Sequence, residues 1–149
     1  MIQCVGSREP DFPFCSRVCC AAAVKNSIQL KEINPGAKII VLYRDVRTFG
    51  FKELYYLKAR QKGVLFFRYI PEEKPNVYDH NGKLTVDFTD RSLNQDFRAE
   101  PDLVVLSAGI RPNHQGAKQI ARLLKLPSVK EGFFLEMPDN KRVRFVHSA

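Results

Sequence analysis

The sequence predicts an α/β domain, in which a parallel sheet with crossover helices carries an antiparallel β insertion. Two observations point there. Apolar runs and helical periodicities alternate through the first half of the chain, and an Asn81-Gly82 pair sits between two short strand-like runs in the second. Met1–Val5 is a short apolar run ending at Gly6 and reads as a strand. From Ser16 to Ile33, apolar residues recur at Val18, Ala21, Ala22, Val24, Ile28 and Ile33, the spacing of a helix with one buried face, and Pro35-Gly36 stops it. Ala37–Tyr43 (AKIIVLY) is almost continuously apolar and rich in β-branched residues, as in a strand covered on both faces.

Phe51–Gln61 reads as a second helix closed by Gly63, and Val64–Tyr69 as a third strand, completing β-α-β-α-β. Val77–Asp79 and Leu84–Phe88 then flank HNGK, a strong two-residue hairpin signal. Asp102–Gly109 (DLVVLSAG) reads as a further buried strand, followed by a Gly-x-x-Pro turn and a short helix over Gln115–Leu124. Phe133–Met137 and Arg142–Val146 are two last strand candidates. With no repeats and no low-complexity segment, one domain over residues 1–149 is expected.

No apolar run approaches the length of a membrane span, and no charged n-region precedes an apolar h-region, so a cytoplasmic location is the default expectation. The net charge of +8 comes from 24 Lys and Arg spread along the chain, the densest cluster being Lys141-Arg142-Val143-Arg144. No nucleic-acid-binding module accompanies them, so they read as a solvated basic surface suited to an acidic protein partner.

The four cysteines, Cys4, Cys15, Cys19 and Cys20, follow a C-x10-C-x3-C-C pattern, and none occurs after Cys20. Packing as small hydrophobes does not explain four thiols confined to one end. A reducing compartment and the adjacency of Cys19 and Cys20 argue against disulfides. A metal site remains. Zinc sites pair Cys knuckles with a second pair or with histidines, whereas His80, His114 and His147 lie far away in sequence and read as surface or core residues. Four thiolates without histidine suit an iron–sulfur cluster equally well, so the spacing leaves both open.

The location adds a second clue. A dinucleotide-binding βαβ unit follows its first strand with G-x-G-x-x-G, so that bare backbone can approach a pyrophosphate. Here only Gly6 is present, followed by SREPDFPF, with Pro10 and Pro13 where open backbone would be required. This argues against an NAD(P)-binding domain and for a nucleotide-domain turn rebuilt around thiols. Arg44 and Arg47 follow the second strand, where a 2′-phosphate site could stand, and read as surface or partner contacts.

Taken together, IQCVGSRE, FCSRVCC, VLYRDVRTFGFKELYY, KGVLFFRY and DLVVLSAGIRPN closely resemble the flavin- and iron–sulfur-containing A subunit of heterodisulfide reductase, from Ile2 to about Phe134. A weaker resemblance is to the flavoprotein component of the quinone-interacting membrane-bound oxidoreductase. The resemblance implies a Rossmann-like three-layer fold, as in the second nucleotide domain of thioredoxin reductase-like flavoproteins. It implies that Cys4, Cys15, Cys19 and Cys20 bind a [4Fe–4S] cluster beside FAD, relaying electrons to partner subunits and electron-donor proteins. It also implies that Lys25, five residues past Cys20, faces the flavin ring. The FAD fingerprint, the flavin-contacting DGIF-like segment and the C-x2-C ferredoxin runs of that family are absent, which predicts an excised or split copy that does not turn over alone.

Overall fold

The computed structural model describes residues 1–135. Its elements run α1 (Cys19–Ile33), β1 (Ile40–Tyr43), α2 (Lys52–Gln61), β2 (Leu65–Arg68), β3 (Asn76–His80), β4 (Lys83–Asp90), β5 (Gln95–Ala99) and α3 (His114–Leu124). The chain divides into two compact units, Met1–Gly109 and the residues from Ile110 onward. No helix among the described residues is long and apolar enough to cross a membrane.

In the first unit β1 and β2 pair in parallel, Ile40 opposite Leu65 and Tyr43 opposite Arg68. Ile2 forms parallel bridges to Leu42 on one side and Leu106 on the other. Backbone bonds support both: Gln3 N–H donates to Leu42 O at 2.9 Å, and Ile2 N–H to Val105 O at 2.8 Å. The parallel neighbours therefore run β2, β1, the Ile2 segment, the Leu106 segment. The Ile2 segment stops early because Cys4 turns to φ 61°, which leaves the extended region.

β1 is covered on both faces, as its apolar run predicts. One face supplies Val41 to a core with Val24 and Ile28 of α1, Ile39, Ala59 of α2, and Val64. The other supplies Leu42 to a core with Ile2, Tyr69, Val86 and Phe88. α1 presents Cys20, Ala23, Val24, Ser27 and Ile28 inward, an i, i+3, i+4 face. Full burial of a side chain such as Val24 stabilises by about 1.5–3 kcal/mol, so this face holds α1 in place.

The hairpin forms as the sequence indicates. Asn81 and Gly82 both have positive φ, 55° and 77°, as a two-residue type I′ turn demands. Three features differ from expectation. α1 begins at Cys19 rather than Ser16, because Arg17 at φ 62° cannot enter a right-handed helix. A strand the sequence did not signal, β5, pairs with β4, and Phe97 stacks on Phe88 with ring centroids 5.5 Å apart. Asp102–Gly109, expected as a buried strand, makes only the bridge at Leu106, and Leu103, Val105 and Leu106 are exposed. Its alternate residues face opposite ways: Val104 packs against the core of Ile2, Leu42, Tyr69, Val86 and Phe88, while Leu103 and Val105 are left exposed.

In the second unit the Asn113 side chain caps α3 by accepting from Gly116 N–H at 3.2 Å. Lys125 ends it in the left-handed conformation, and Ser128 bridges Phe134. The end of the Phe133–Met137 candidate and all of Arg142–Val146 lie outside the described residues.

Candidate metal centre

The cysteines sit where the parallel layer gives way to α1. Cys4 and Cys20 are buried, Cys15 and Cys19 half-buried, and all four are free thiols. The loop between them is built from strained backbone. Cys4, Arg8 and Arg17 are non-glycine residues in the left-handed region, with φ of 61°, 59° and 62°. Each such residue costs roughly 1–2 kcal/mol, and such strain concentrates at functional sites. Arg8 N–H donates to Phe14 O at 3.2 Å, and Glu9 and Phe12 exchange backbone bonds of 3.1 and 2.9 Å. This fold-back, closed by a Phe12–Phe14 ring contact at 4.4 Å, returns the chain to Cys15 beside the Cys4 turn.

The four sulfurs share one electrostatic neighbourhood. Burial pushes the Cys19 thiol up, and negative charge at Cys15 and Cys4 pushes it further. Burial also pushes Cys20 up, and charge at each of the other three cysteines adds to it. Backbone N–H groups oppose this: Gly109 acts on Cys19, Arg47 on Cys20, and Arg17 N–H donates to Cys15 Sγ at 3.4 Å. Cys19 and Cys20 also open α1, which has no side-chain N-cap and no acidic residue in its first turn, so its unpaired N–H groups face this region.

Among the described residues, no three His, Cys, Asp or Glu side chains stand close enough to hold a metal ion. A tetrahedral zinc would need its thiolates roughly 3.8 Å apart, given Zn–S bonds of about 2.3 Å. Thiolates on the corners of an iron–sulfur cubane stand further apart. In chemistry the donors fit such a cluster: four free soft thiols, backbone N–H groups turned toward sulfur, and a helix N-terminus.

Around the loop lies an ion-pair frame. Arg44, expected at the surface, is instead buried, because β1 delivers it beneath the cysteine loop. It donates to Arg8 O at 2.8 Å, pairs with Glu9 and lies 5.8 Å over the Tyr69 ring. Lys74 reaches the other Glu9 oxygen at 2.7 Å, and Lys74 and Arg44 together hold that carboxyl below the usual range. Arg47 is more exposed and stands 3.7 Å from Asp45. Cys20 Sγ donates to the Asp45 carbonyl at 3.5 Å.

Lys25 is exposed on α1, about 140° around the helix axis from the buried Cys20. His80 ends β3 beside Tyr78, His114 opens α3, and His147 lies outside the described residues. Sequence reasoning missed Arg8, Asp45 and Gly109. None belongs to a ligand type the cysteine pattern calls for, and the one visible signal was the GSR context itself.

No family model matches the chain. It is 42% identical over 140 residues to the A subunit of the ferredoxin:CoB-CoM heterodisulfide reductase of Methanosarcina acetivorans, covering 91% of this chain and 17% of that relative. The A subunit of the H(2)/formate:CoB-CoM heterodisulfide,ferredoxin reductase of Methanococcus maripaludis is 38% identical over 142 residues, 91% of this chain and 21% of the relative. This chain is homologous to the A subunit of heterodisulfide reductase. The iron–sulfur A subunit of the CoB–CoM heterodisulfide reductase of Methanocaldococcus jannaschii matches at 38% over 143 residues, 91% of this chain and 21% of the relative. The chain thus spans about a fifth of the length of these heterodisulfide reductase subunits.

Proposed function

We propose that this chain is the electron-transfer segment of a flavoprotein of the heterodisulfide reductase type, with Cys4, Cys15, Cys19 and Cys20 binding one [4Fe–4S] cluster. The observation that carries the reading is four free thiols sharing one electrostatic neighbourhood at the N-terminus of α1. The parallel neighbours β2, β1, Ile2 and Leu106 follow the 3-2-1-4 order of a dinucleotide-binding half, which supports a Rossmann-like three-layer fold. In that fold the cysteine loop occupies the place of the pyrophosphate loop.

A cluster bound there supplies storage of one electron at a time. The protein's part is to hold four thiolates, to spread their charge over the N–H groups of Arg17, Arg47 and Gly109, and to keep the loop in shape through the buried Arg44. Lys25 is proposed to meet the flavin of the complete flavoprotein, where its ammonium would stabilise an anionic reduced ring. FAD, the partner subunits and the electron-donor proteins belong to that larger cytoplasmic assembly, and the segment alone does not turn over.

Iron and acid-labile sulfide analysis of the anaerobically reconstituted chain tests this. About four irons per chain are expected. Stoichiometric zinc with no iron would contradict it, and would leave a structural zinc domain.

A further inference from the structure

The loop from β1 into α2 leaves the cysteine site and then turns large apolar side chains outward. Cys20 Sγ donates to the Asp45 carbonyl at 3.5 Å, and Thr48 is buried, so the loop is anchored at both points. Phe49 and Phe51 then stand 77% and 89% exposed on either side of Gly50, whose φ of 64° makes the turn between them. Phe51 already has helical backbone angles ahead of Lys52, so Leu54 and Tyr55 follow it at i+3 and i+4 and share its face of α2. They are 64% and 58% exposed, while Tyr56 and Ala59 pack the helix against the core. Large apolar side chains gathered in this way mark an interaction site rather than scattered surface residues.

The charge around this face is one-sided. Arg47, Lys52, Lys58, Arg60 and Lys62 accompany it in sequence against one carboxylate, Glu53. Glu32 of α1 is shared by Lys58 and Lys62, at 3.5 Å from each, and the balance stays positive. An apolar centre with a cationic rim complements an apolar centre with an acidic rim. A second copy of this chain would set the same cations against these, so it is a poor occupant. Chain length keeps Phe49 within about 14 Å of Asp45, the residue that meets Cys20, so a protein docked here lies next to the thiols.

We propose that the face formed by Phe49, Phe51, Leu54 and Tyr55 docks an acidic one-electron carrier protein, which delivers its electron to the four-cysteine site. The choice of an electron carrier rests on the cluster reading above. One electron leaves the reduced carrier, which is oxidised by one, and enters the cluster, which is reduced by one; no bond forms or breaks. The cationic rim steers the encounter and the aromatic centre holds it, so association is fast and weakens with salt.

The test measures binding of an acidic two-cluster bacterial ferredoxin to the anaerobically reconstituted chain by calorimetry. Stopped flow then follows reduction of the chain by pre-reduced ferredoxin freed of dithionite. Both are made on wild type, the double variant Phe49→Ser/Phe51→Ser, Lys52→Glu and Leu93→Ser, with iron content and circular dichroism recorded for each. Leu93 is 63% exposed on the turn between β4 and β5 and serves as the control for loss of an exposed apolar side chain. The double variant is expected to bind about tenfold more weakly and to be reduced correspondingly more slowly. Lys52→Glu should lower the association rate and flatten its salt dependence, and Leu93→Ser should behave as wild type. An iron-loaded wild type that does not bind ferredoxin overturns the proposal, as do folded Phe49→Ser/Phe51→Ser and Lys52→Glu chains that bind as wild type does. An equal loss in Leu93→Ser overturns it too. Dimerisation of the wild type in sedimentation, abolished in the double variant, would assign the face to a second copy instead. Flotation with phosphatidylserine vesicles, abolished in the same variant, would assign it to an anionic membrane; each of these results overturns the proposal. A wild type that takes up no iron overturns the cluster reading and the electron delivery with it, while ferredoxin binding still decides the docking surface.

Discussion

Replacing Gly109 by alanine tests whether the cysteine loop and the end of the Leu106 segment are one structure. Gly109 has φ +84°, and a Cβ built there would meet Ser16 Oγ at 2.7 Å and Ser7 Cβ at 3.3 Å. Ser7 is buried and cannot move aside, so Ser16 must leave its rotamer. The left-handed alanine costs roughly 1–2 kcal/mol and the displaced serine about 0.5–1.5 kcal/mol, for a total of about 1.5–3.5 kcal/mol. Gly82→Ala is the matched control, because it has a similar φ of +77° but nothing within 4 Å. It should cost only the first part. Urea unfolding reads the difference: with a slope of about 1–3 kcal/mol/M, Gly109→Ala should lower the midpoint by roughly a further 0.2–1.5 M. Iron uptake should fall in Gly109→Ala and not in Gly82→Ala, because the Gly109 N–H also supports Cys19. Equal losses of stability and unchanged iron uptake in the two variants would refute the reasoning.

Three further outcomes follow from the same contacts. Val24→Ala removes two methyl groups from a site only 2% exposed, and should cost about 2–3 kcal/mol in thermal or urea unfolding; a loss below about 0.5 kcal/mol would show that α1 is not held by this core. The Asp87 carboxyl is held below its usual range, first by Arg98 at 2.8 and 2.9 Å and then by Tyr78. Its folded pKa lies below the unfolded value of about 3.9, so its stabilisation is present above that pH and fades as pH falls through the folded value. Asp87→Asn should flatten the acid limb of a circular-dichroism titration, and an unaltered limb would contradict the pairing. NADH and NADPH should show no micromolar binding by calorimetry, because Gly6 is followed by side chains and prolines where a pyrophosphate needs bare backbone.

The legible parts of the fold were those whose signal is local. Asn81-Gly82 demands a positive φ at two successive positions, and the structure supplies both. The apolar run ending at Tyr43 needs cover on two faces and receives it from two cores. β5 was not legible because one aromatic, Phe97, carries its packing, and its pairing depends on β4 across a turn. Asp102–Gly109 misled for the opposite reason. Its composition reads as buried, yet burial needs cover over both faces, and Val104 meets a core while Leu103 and Val105 stay exposed. At the candidate site the four cysteines stood out by their confinement to one end of the sequence, while their surroundings did not. Three left-handed non-glycine residues, Cys4, Arg8 and Arg17, carry no compositional mark, since glycine or asparagine would be expected at such positions. Arg44 read as a surface charge because its partner Glu9 lies 35 residues away in the chain.

The most direct measurement of the central claim is EPR of the anaerobically reconstituted, dithionite-reduced chain, made in parallel on wild type and on single Cys→Ser variants at Cys4, Cys15, Cys19 and Cys20. The account predicts an iron–sulfur signal in wild type that is lost or reduced in every one of the four variants, with bound iron falling in step. A wild type that binds iron with a signal indifferent to all four substitutions, or that binds only zinc, would contradict it.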